Sequence, residues 1–306
     1  LIIIRKNLVR SMKREQPLTK NRNAYYSQVL LDNNTILTNE GDIIGESNRP
    51  PAVIPIRGKF NFTVATTGDT SLWFVQRHPQ QNVNCLHAYN YKTHTTKVYT
   101  KIVLTGQAII CTAGNAVYII DEKGIGELQG DSLHNDLLFA PNPDRRIYYD
   151  AKETEPGLLT IATCNGLLTY HLSTHTLDAP AKDQNYCFRT LWMYKGYLFM
   201  GTYGAGFFIK KGDRMRRMPL DKNNYLLYTH CFVPDQQGYC WLSTNRGLFK
   251  AKLDELIAAF EQNSNSVYYH YFGKQDGMQM TELNGGCTPC ALTPAPPRRR
   301  PRPWCA

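Results

Sequence analysis

Short apolar runs without helical periodicity recur along the chain, and residues that favour turns bound each of them. In the clearest example, Asp235 and Gly238 precede an apolar run that ends at Thr244, and a second run begins at Gly247. Glycine permits a positive φ in a tight connection, and threonine favours strands and can hydrogen-bond locally at a strand end. The pattern therefore predicts two buried strands joined by a tight turn.

The same unit recurs along the chain at a nearly constant spacing. Residues 157–168 match it closely, and residues 196–208 match it with one added residue. Residues 118–125 match it with Asp121 in place of the threonine, and residues 38–43 match more weakly. The anchoring glycines lie at 41, 124, 166, 206 and 247, so the gaps are 83, 42, 40 and 41, of which the first is two periods. A repeat of this length with several short strands has the size of one four-stranded propeller blade.

This spacing predicts an all-β fold, a β-propeller of about six to seven four-stranded blades. A non-closed β array and a pair of β-sandwiches are the alternatives. A seventh unit is due near residue 288, where Cys287, Pro289 and Cys290 stand without the Thr-x-x-Gly pattern. We therefore expect an incomplete last blade, no strand after residue 292, and an isolated chain that folds poorly or aggregates.

One segment near the C-terminus has a helical pattern instead. Leu253, Leu256, Ile257 and Phe260 lie at i, i+3, i+4 and i+7 and form a single apolar stripe. We predict a short amphipathic helix over residues 252–262 that packs on the propeller.

A second shared element lies between the repeats, at residues 133–139, 186–192 and 227–233. Each segment is predicted to be the first strand of the next blade, nearest the propeller axis, so residues beside its start are expected to line the central channel. The candidate ligand-binding residues are Asn135, Tyr186, Arg189, Tyr228 and His230, with Tyr203 on a blade turn. Aromatic and polar groups at such a rim suit a carbohydrate-type ligand, whereas each residue taken singly also fits an ordinary solvated loop.

The net charge of +10 belongs to the two ends of the chain. Residues 1–22 have seven Lys and Arg against Glu15, a net of +6, and four arginines give residues 293–306 a net of +4, which leaves zero for residues 23–292. Because nucleic-acid binding needs basic charge on the folded surface, no nucleic-acid partner is expected. The predicted division is a basic N-terminal segment at 1–22, a propeller at 23–292 and a disordered Pro/Arg-rich tail at 293–306.

No catalytic, cofactor or metal site is predicted. Cys287 and Cys290 have the spacing of a redox motif, but they lack the strand-to-helix context of such motifs and no second cysteine pair completes a zinc site. The carboxylates with clear positions, Asp121, Asp150 and Asp235, are assigned to repeat turns, so no carboxylate pair is left for glycoside hydrolysis. The chain as given is therefore expected not to be an enzyme.

The repeat unit resembles the two-component regulator propeller repeat, whose pattern is roughly Asp-x-x-Gly-x-x-Trp-x-x-Thr-x-x-Gly-Leu. Residues 235–249 are the best copy, residues 133–137 resemble the family's strand opening, and residues 268–286 look like the end of such a propeller. The resemblance implies the extracytoplasmic sensor of a membrane-bound signalling protein. In that family a small β-sandwich, a membrane helix, and a histidine kinase or other output domain follow.

The expected function is therefore that of a ligand-sensing propeller, a fragment of a two-component signalling protein. It would bind a small molecule or glycan and pass the signal to a downstream domain that this chain lacks. The parent is expected to be periplasmic or extracytoplasmic, with membrane contact only through the downstream helix, and its dimerisation is compatible with this function. A protein-interaction scaffold is the alternative, and a propeller glycosidase is a further one. The chain begins with Leu1 and is expected to be cut from something longer.

Overall fold

The structure is a computed structural model that describes part of the chain. The residues described are 28–32, 35–38, 43–45, 60–67, 71–77, 83–90, 92–93, 95–105, 108–139, 147–178, 185–283 and 290–291. The predicted N-terminal segment at 1–22 and the tail at 293–306 lie outside these residues. The prediction that no strand follows residue 292 therefore also concerns residues outside the described ones.

The described strands form six four-stranded sheets, which we number I to VI in chain order. The strands of sheets I to III are β1 (Gln28–Asp32), β2 (Thr35–Thr38), β3 (Ile43–Gly45), β4 (Phe60–Thr67), β5 (Ser71–Arg77), β6 (Asn84–Asn90), β7 (Thr95–Leu104), β8 (Ile109–Ala113), β9 (Ala116–Ile120), β10 (Gly124–Gln129) and β11 (Ser132–Leu138). The strands of sheets IV to VI are β12 (Tyr148–Glu155), β13 (Leu158–Thr163), β14 (Gly166–His171), β15 (Thr176–Asp178), β16 (Phe188–Tyr194), β17 (Tyr197–Thr202), β18 (Phe207–Lys211), β19 (Arg214–Arg217), β20 (Thr229–Pro234), β21 (Tyr239–Thr244), β22 (Gly247–Lys252) and β23 (His270–Phe272). Two 3₁₀ turns, Tyr225–Leu227 and Lys274–Asp276, precede and follow sheet VI.

Sheets II to VI are antiparallel meanders in which each strand pairs with the next one along the chain. The first strands of these sheets pack side by side in chain order, β4 against β8, β8 against β12, β12 against β16, and β16 against β20. Successive sheets are therefore arranged around a common axis with their first strands innermost. This is the blade arrangement of a β-propeller, so the predicted fold class is confirmed.

Sheet I takes its fourth strand from the other end of the described chain. Residues Cys290–Ala291 form β24, which pairs in parallel with Val29 and Leu30 of β1 and contacts β4. Sheet VI already has four strands of its own. The six sheets described are each four-stranded, so the expected incomplete last blade is not found among them. The strand that follows sheet VI instead completes sheet I by pairing with β1.

The Thr-x-x-Gly pattern forms the turn between the second and third strands of sheets IV and VI, and sheet V has the same turn with one added residue, Thr202 to Gly206. In sheet VI the Thr244 hydroxyl donates to the Gly247 carbonyl (2.9 Å) and accepts from the Arg246 amide (3.0 Å). Thr163 and Thr202 make the equivalent pair of bonds in sheets IV and V. Gly247 has a φ of 141°, and a Cβ there would lie 2.7 Å from a backbone carbonyl oxygen of β23. The turn therefore needs both the hydroxyl and the glycine.

The Asp-x-x-Gly-x-x-Trp part of the pattern forms the turn between the first and second strands of sheet VI. Asp235 Oδ1 accepts from the amides of Gln237 and Tyr239 (both 2.9 Å), and Oδ2 accepts from the Trp241 indole (3.0 Å). The Lys250 ammonium lies 3.7 Å from the same carboxylate. One carboxylate thus accepts the hydrogen bonds of the turn and also pairs with Lys250 of β22, the third strand of the sheet.

The core lies between adjacent sheets. Phe199, Phe207, Phe232 and Phe249 are almost fully buried between sheets V and VI, with edge-on ring contacts such as that of Phe199 with Phe232 at 5.7 Å between centroids. Such ring pairs add to the free energy gained from apolar burial. Adjacent sheets are therefore held together by the packing of apolar side chains between them.

The predicted helix is present as α1 (Leu253–Glu261). Leu253, Leu256 and Phe260 are buried against the core of sheets V and VI, as the apolar stripe indicates. The Arg216 guanidinium donates to the Ala259 carbonyl and, at 2.6 Å, to the Ser264 carbonyl, which satisfies backbone acceptors at the helix end. In the described part of the chain, no helix is long and apolar enough to cross a membrane.

Two predictions about individual segments are wrong. Residues 133–139 do not open a blade, because a tight turn at Gly130 and Asp131 folds β11 back on β10 as the outermost strand of sheet III, where Asn135 lies opposite Gly126. The first strand of the next sheet is β12. Asp121 and Asp235 do lie in turns, but Asp150 is a buried residue of β12.

Candidate functional site

One structural position recurs in the innermost strands of three successive sheets. Tyr149, Arg189 and His230 each sit at a β-bulge, the second residue of β12, β16 and β20, and they are spaced by 40 and 41 residues. A bulge leaves one residue unpaired and re-aims its side chain. Because the starts of these strands pair with the threonines of the Thr-x-x-Gly turns, the three residues lie on the propeller face that carries those turns, here called the turn face.

Arg189 lies at the centre of this arrangement. Its guanidinium carbon is 4.8 Å from the centroid of the Tyr149 ring and 4.2 Å from that of the Tyr203 ring. Both distances are within the range of a cation–π contact. The Nε atom is buried and has no hydrogen-bond partner among the described residues. The charge of Arg189 is therefore stabilised by aromatic rings, while its guanidinium donates no hydrogen bond to a described residue.

Two tyrosines form the outer part of the site. Tyr203 lies in the turn between β17 and β18 and is 48% exposed. Its ring meets that of Tyr228 edge-on at 4.8 Å between centroids, and the backbones of the two residues form an isolated antiparallel bridge. Tyr228 directly precedes β20, so it fixes the orientation of the exposed Tyr203 ring.

His230 closes the site on the other side. It is 3% exposed, and its Nε2 lies 2.6 Å from Oδ1 of Asn245 in the turn between β21 and β22. Burial lowers the pKa of the imidazole most; the bond to Asn245 raises it, and the nearby charge of Arg189 lowers it. His230 is therefore neutral at pH 7, and Nε2 carries the proton that the amide oxygen accepts.

The remaining two predicted residues do not join this cluster. The Tyr186 ring packs on Phe208 at 4.7 Å between centroids, and its carbonyl accepts from the Gly166 amide (3.1 Å), so it has a packing role between sheets IV and V. Asn135 belongs to an outermost strand, away from the innermost strands that form the cluster.

Sequence reasoning missed Tyr149 and Asn245. Tyr149 stands one period before Arg189, so the spacing alone identifies it once β12 replaces residues 133–139 as the opening strand. Asn245 is one of the two spacer residues of the Thr-x-x-Gly pattern, and the pattern gives spacers no role. Asn245 meets His230 because β20 pairs with β21, which brings the start of β20 beside the turn that contains Asn245.

A disulfide borders the cluster. Cys164, in the Thr-x-x-Gly turn of sheet IV, is bonded to Cys187, which directly precedes β16, and the Cys164 sulfur lies 3.4 Å from the Tyr149 hydroxyl. Four other cysteines of the described residues are buried and free, namely Cys85, Cys111, Cys231 and Cys240. The disulfide joins two sheets at the turn face and limits how far they can move apart.

The arrangement is chemically suited to binding. Among the described residues, no group of three or more His, Cys, Asp or Glu could hold a metal ion. The buried Asp150 carboxylate accepts from the amides of Ala151 (2.9 Å) and Leu191 (2.7 Å), so it links adjacent innermost strands, and burial raises its pKa. The cluster itself offers donors, aromatic faces and a positive charge.

Several solved structures share this fold. The extracellular domain of the putative hybrid two-component system BT3049 from B. thetaiotaomicron is 17% identical with a TM-score of 0.58, and the match covers 86% of this chain and 37% of that one. The corresponding domain of BT4673 is 14% identical with a TM-score of 0.52, over 88% of this chain and 43% of that one. This chain therefore spans less than half the length of either domain.

An enzyme shares the fold as well. Virginiamycin B lyase from Staphylococcus aureus is 9% identical with a TM-score of 0.51, over 69% of each chain. At such identities the likenesses concern the fold alone, and one fold serves both sensors and enzymes. No family model and no curated protein matches the chain.

Proposed function

We propose that the chain is a ligand-sensing propeller from a two-component signalling protein, and that it binds a small molecule or glycan at the turn face. The observation that carries the proposal is the position of Arg189, whose guanidinium carbon lies over the rings of Tyr149 and Tyr203. Its Nε is buried, and no described residue accepts a hydrogen bond from it. An unpaired buried donor costs about 1–3 kcal/mol, which a bound acceptor can offset. An exposed aromatic ring such as that of Tyr203 beside this donor suits a sugar or another partly apolar ligand.

The proposed location is outside the cytoplasm, with the output in another part of a longer signalling protein. Two features support it. The matching sensor domains from B. thetaiotaomicron are extracellular, and the Cys164–Cys187 disulfide suits an oxidising compartment.

The proposal is tested by probing the 306-residue protein on a glycan array and then by thermal shift with each glycan that binds. We expect at least one glycan to raise the melting temperature of the wild type, and Arg189→Gln and Tyr203→Ala to remove the shift. Arg217→Gln is the control, because Arg217 is an exposed arginine of β19 and the substitution changes the net charge equally.

Other outcomes identify other functions. If no glycan or small molecule binds while a protein partner is captured on the turn face, the domain is a scaffold. If a glycan that binds is cleaved, and the cleavage disappears when a single carboxylate is removed, the domain is a propeller glycosidase.

A further inference from the structure

We infer that the ligand of the turn face is an acidic sugar, with a carboxylate that pairs with Arg189 and a ring that packs on Tyr203. This inference rests on the proposed function and specifies its ligand class. It follows from the donors, the charge and the aromatic surface of one cluster.

The guanidinium of Arg189 supplies the hydrogen-bond donors of the site. A guanidinium has five N–H groups in one plane and no acceptor, and stacked rings cover its faces while leaving these in-plane donors free. The guanidinium carbon of Arg189 lies over both the Tyr149 and the Tyr203 ring. The side chain of Arg189 is only partly buried, and no described residue accepts a hydrogen bond from its terminal nitrogens. A ligand approaching the turn face therefore meets a preformed fork of donors.

The charge decides what the fork accepts. Within the described ranges, Arg189 forms no ion pair with a carboxylate of the protein, and His230, which is neutral, does not neutralise it. The carboxylate whose charge reaches His230 is the exposed Glu282, which has no ion pair with Arg189. A carboxylate fits the guanidinium fork with two parallel hydrogen bonds and neutralises its charge. An uncharged acceptor supplies the hydrogen bonds without the neutralisation.

The aromatic surface decides what carries the carboxylate. The Tyr203 ring stands half-exposed beside the guanidinium, held edge-on by Tyr228. A flat, partly apolar ring face next to a carboxylate site matches a pyranose ring that bears its own carboxylate, which is a uronic acid. An inorganic anion would use the arginine and leave the tyrosine unused, and a neutral sugar would do the reverse.

The experiment compares acids with their neutral esters. Isothermal titration of the 306-residue protein uses disaccharides of galacturonate, glucuronate and mannuronate, the methyl ester of each, and inorganic sulfate. We expect at least one acid to bind roughly 10- to 100-fold more tightly than its ester, the range of one charge-assisted hydrogen bond or more. Arg189→Gln should abolish this preference, Arg189→Lys should retain only part of it, and Arg217→Gln should leave it unchanged.

Each contrary result has its own meaning. Equal binding of acid and ester, or an acid preference that survives in Arg189→Gln, overturns the inference. Sulfate binding as tightly as the uronate also overturns it, since the tyrosine surface would then contribute nothing. If none of the three acids binds while a neutral glycan binds on the array, the sensing function stands and the acidic ligand is wrong. If neither the glycan array nor a thermal-shift screen of small molecules yields a ligand, the proposed function itself fails. Circular dichroism and melting curves confirm that every variant is folded.

Discussion

Removing one hydroxyl from a Thr-x-x-Gly turn should destabilise the propeller. Thr244 is fully buried, and its hydroxyl makes two hydrogen bonds within the turn, as donor at 2.9 Å and as acceptor at 3.0 Å. Thr244→Val keeps the shape and the β-branch but removes both bonds. At roughly 0.5–1.5 kcal/mol for each bond, the free energy of unfolding should fall by about 2 kcal/mol.

The same chain contains a matched control. The Thr96 hydroxyl of β7 is buried and has no hydrogen-bond partner among the described residues. Thr96→Val replaces an unsatisfied polar group with a methyl group, so it should leave stability unchanged or raise it slightly.

Thermal and urea unfolding of the two variants measure the contrast. For a domain of this size, a loss of about 2 kcal/mol lowers Tm by roughly 3 °C. Thr163→Val and Thr202→Val should each cost a similar amount, and the costs should add because the turns lie in different sheets. A Thr244→Val variant as stable as the wild type, or a Thr96→Val variant that loses as much, would refute the account of the turn.

Three further predictions concern stability. Burial raises the pKa of Asp235, but the bonds from Tyr239 and Trp241 outweigh it and the net pKa is lowered. Its contribution is therefore present above the unfolded pKa of about 4 and is lost as pH falls through the lower folded value, so the cost of Asp235→Asn in urea unfolding should be largest at pH 7 and shrink in acid. Arg216→Ala should speed amide hydrogen exchange across α1, because the Ala259 and Ser264 carbonyls lose their donor. Exchange rates equal to those of the wild type would show that these two bonds do not stabilise the helix. A chain that ends at Pro289 should melt below one that ends at Leu292, because it lacks β24; identical melting would mean that the pairing with β1 contributes nothing.

The repeat could be predicted from sequence because the turn chemistry is local. The threonine, the glycine and the aspartate of the unit each bond within a few residues of themselves, as Thr244 and Asp235 show. Their spacing therefore records the blade period directly. The helix was predicted for the same reason, since its apolar stripe is defined by residues within three turns.

The opening strand of sheet IV could not be assigned in this way. Residues 133–139 are as strand-like as β12, and the choice between them depends on the hairpin at Gly130. That misassignment placed Asn135 in the site and left out Tyr149. The residues around Arg189 come from three sheets, so their ring contacts depend on how the sheets pack. Only some of these residues could therefore be predicted from the sequence.

Hydrogen exchange with and without the tightest-binding glycan from the array shows which face of the propeller holds the ligand. We expect protection to concentrate in peptides that cover Tyr149, residues 187–189 and Tyr203, with less in Arg189→Gln. The opposite face carries the turns between first and second strands, at residues 155–158, 194–197 and 234–239. Protection confined to those turns, with none at the Arg189 cluster, would contradict the proposal that the turn face senses the ligand.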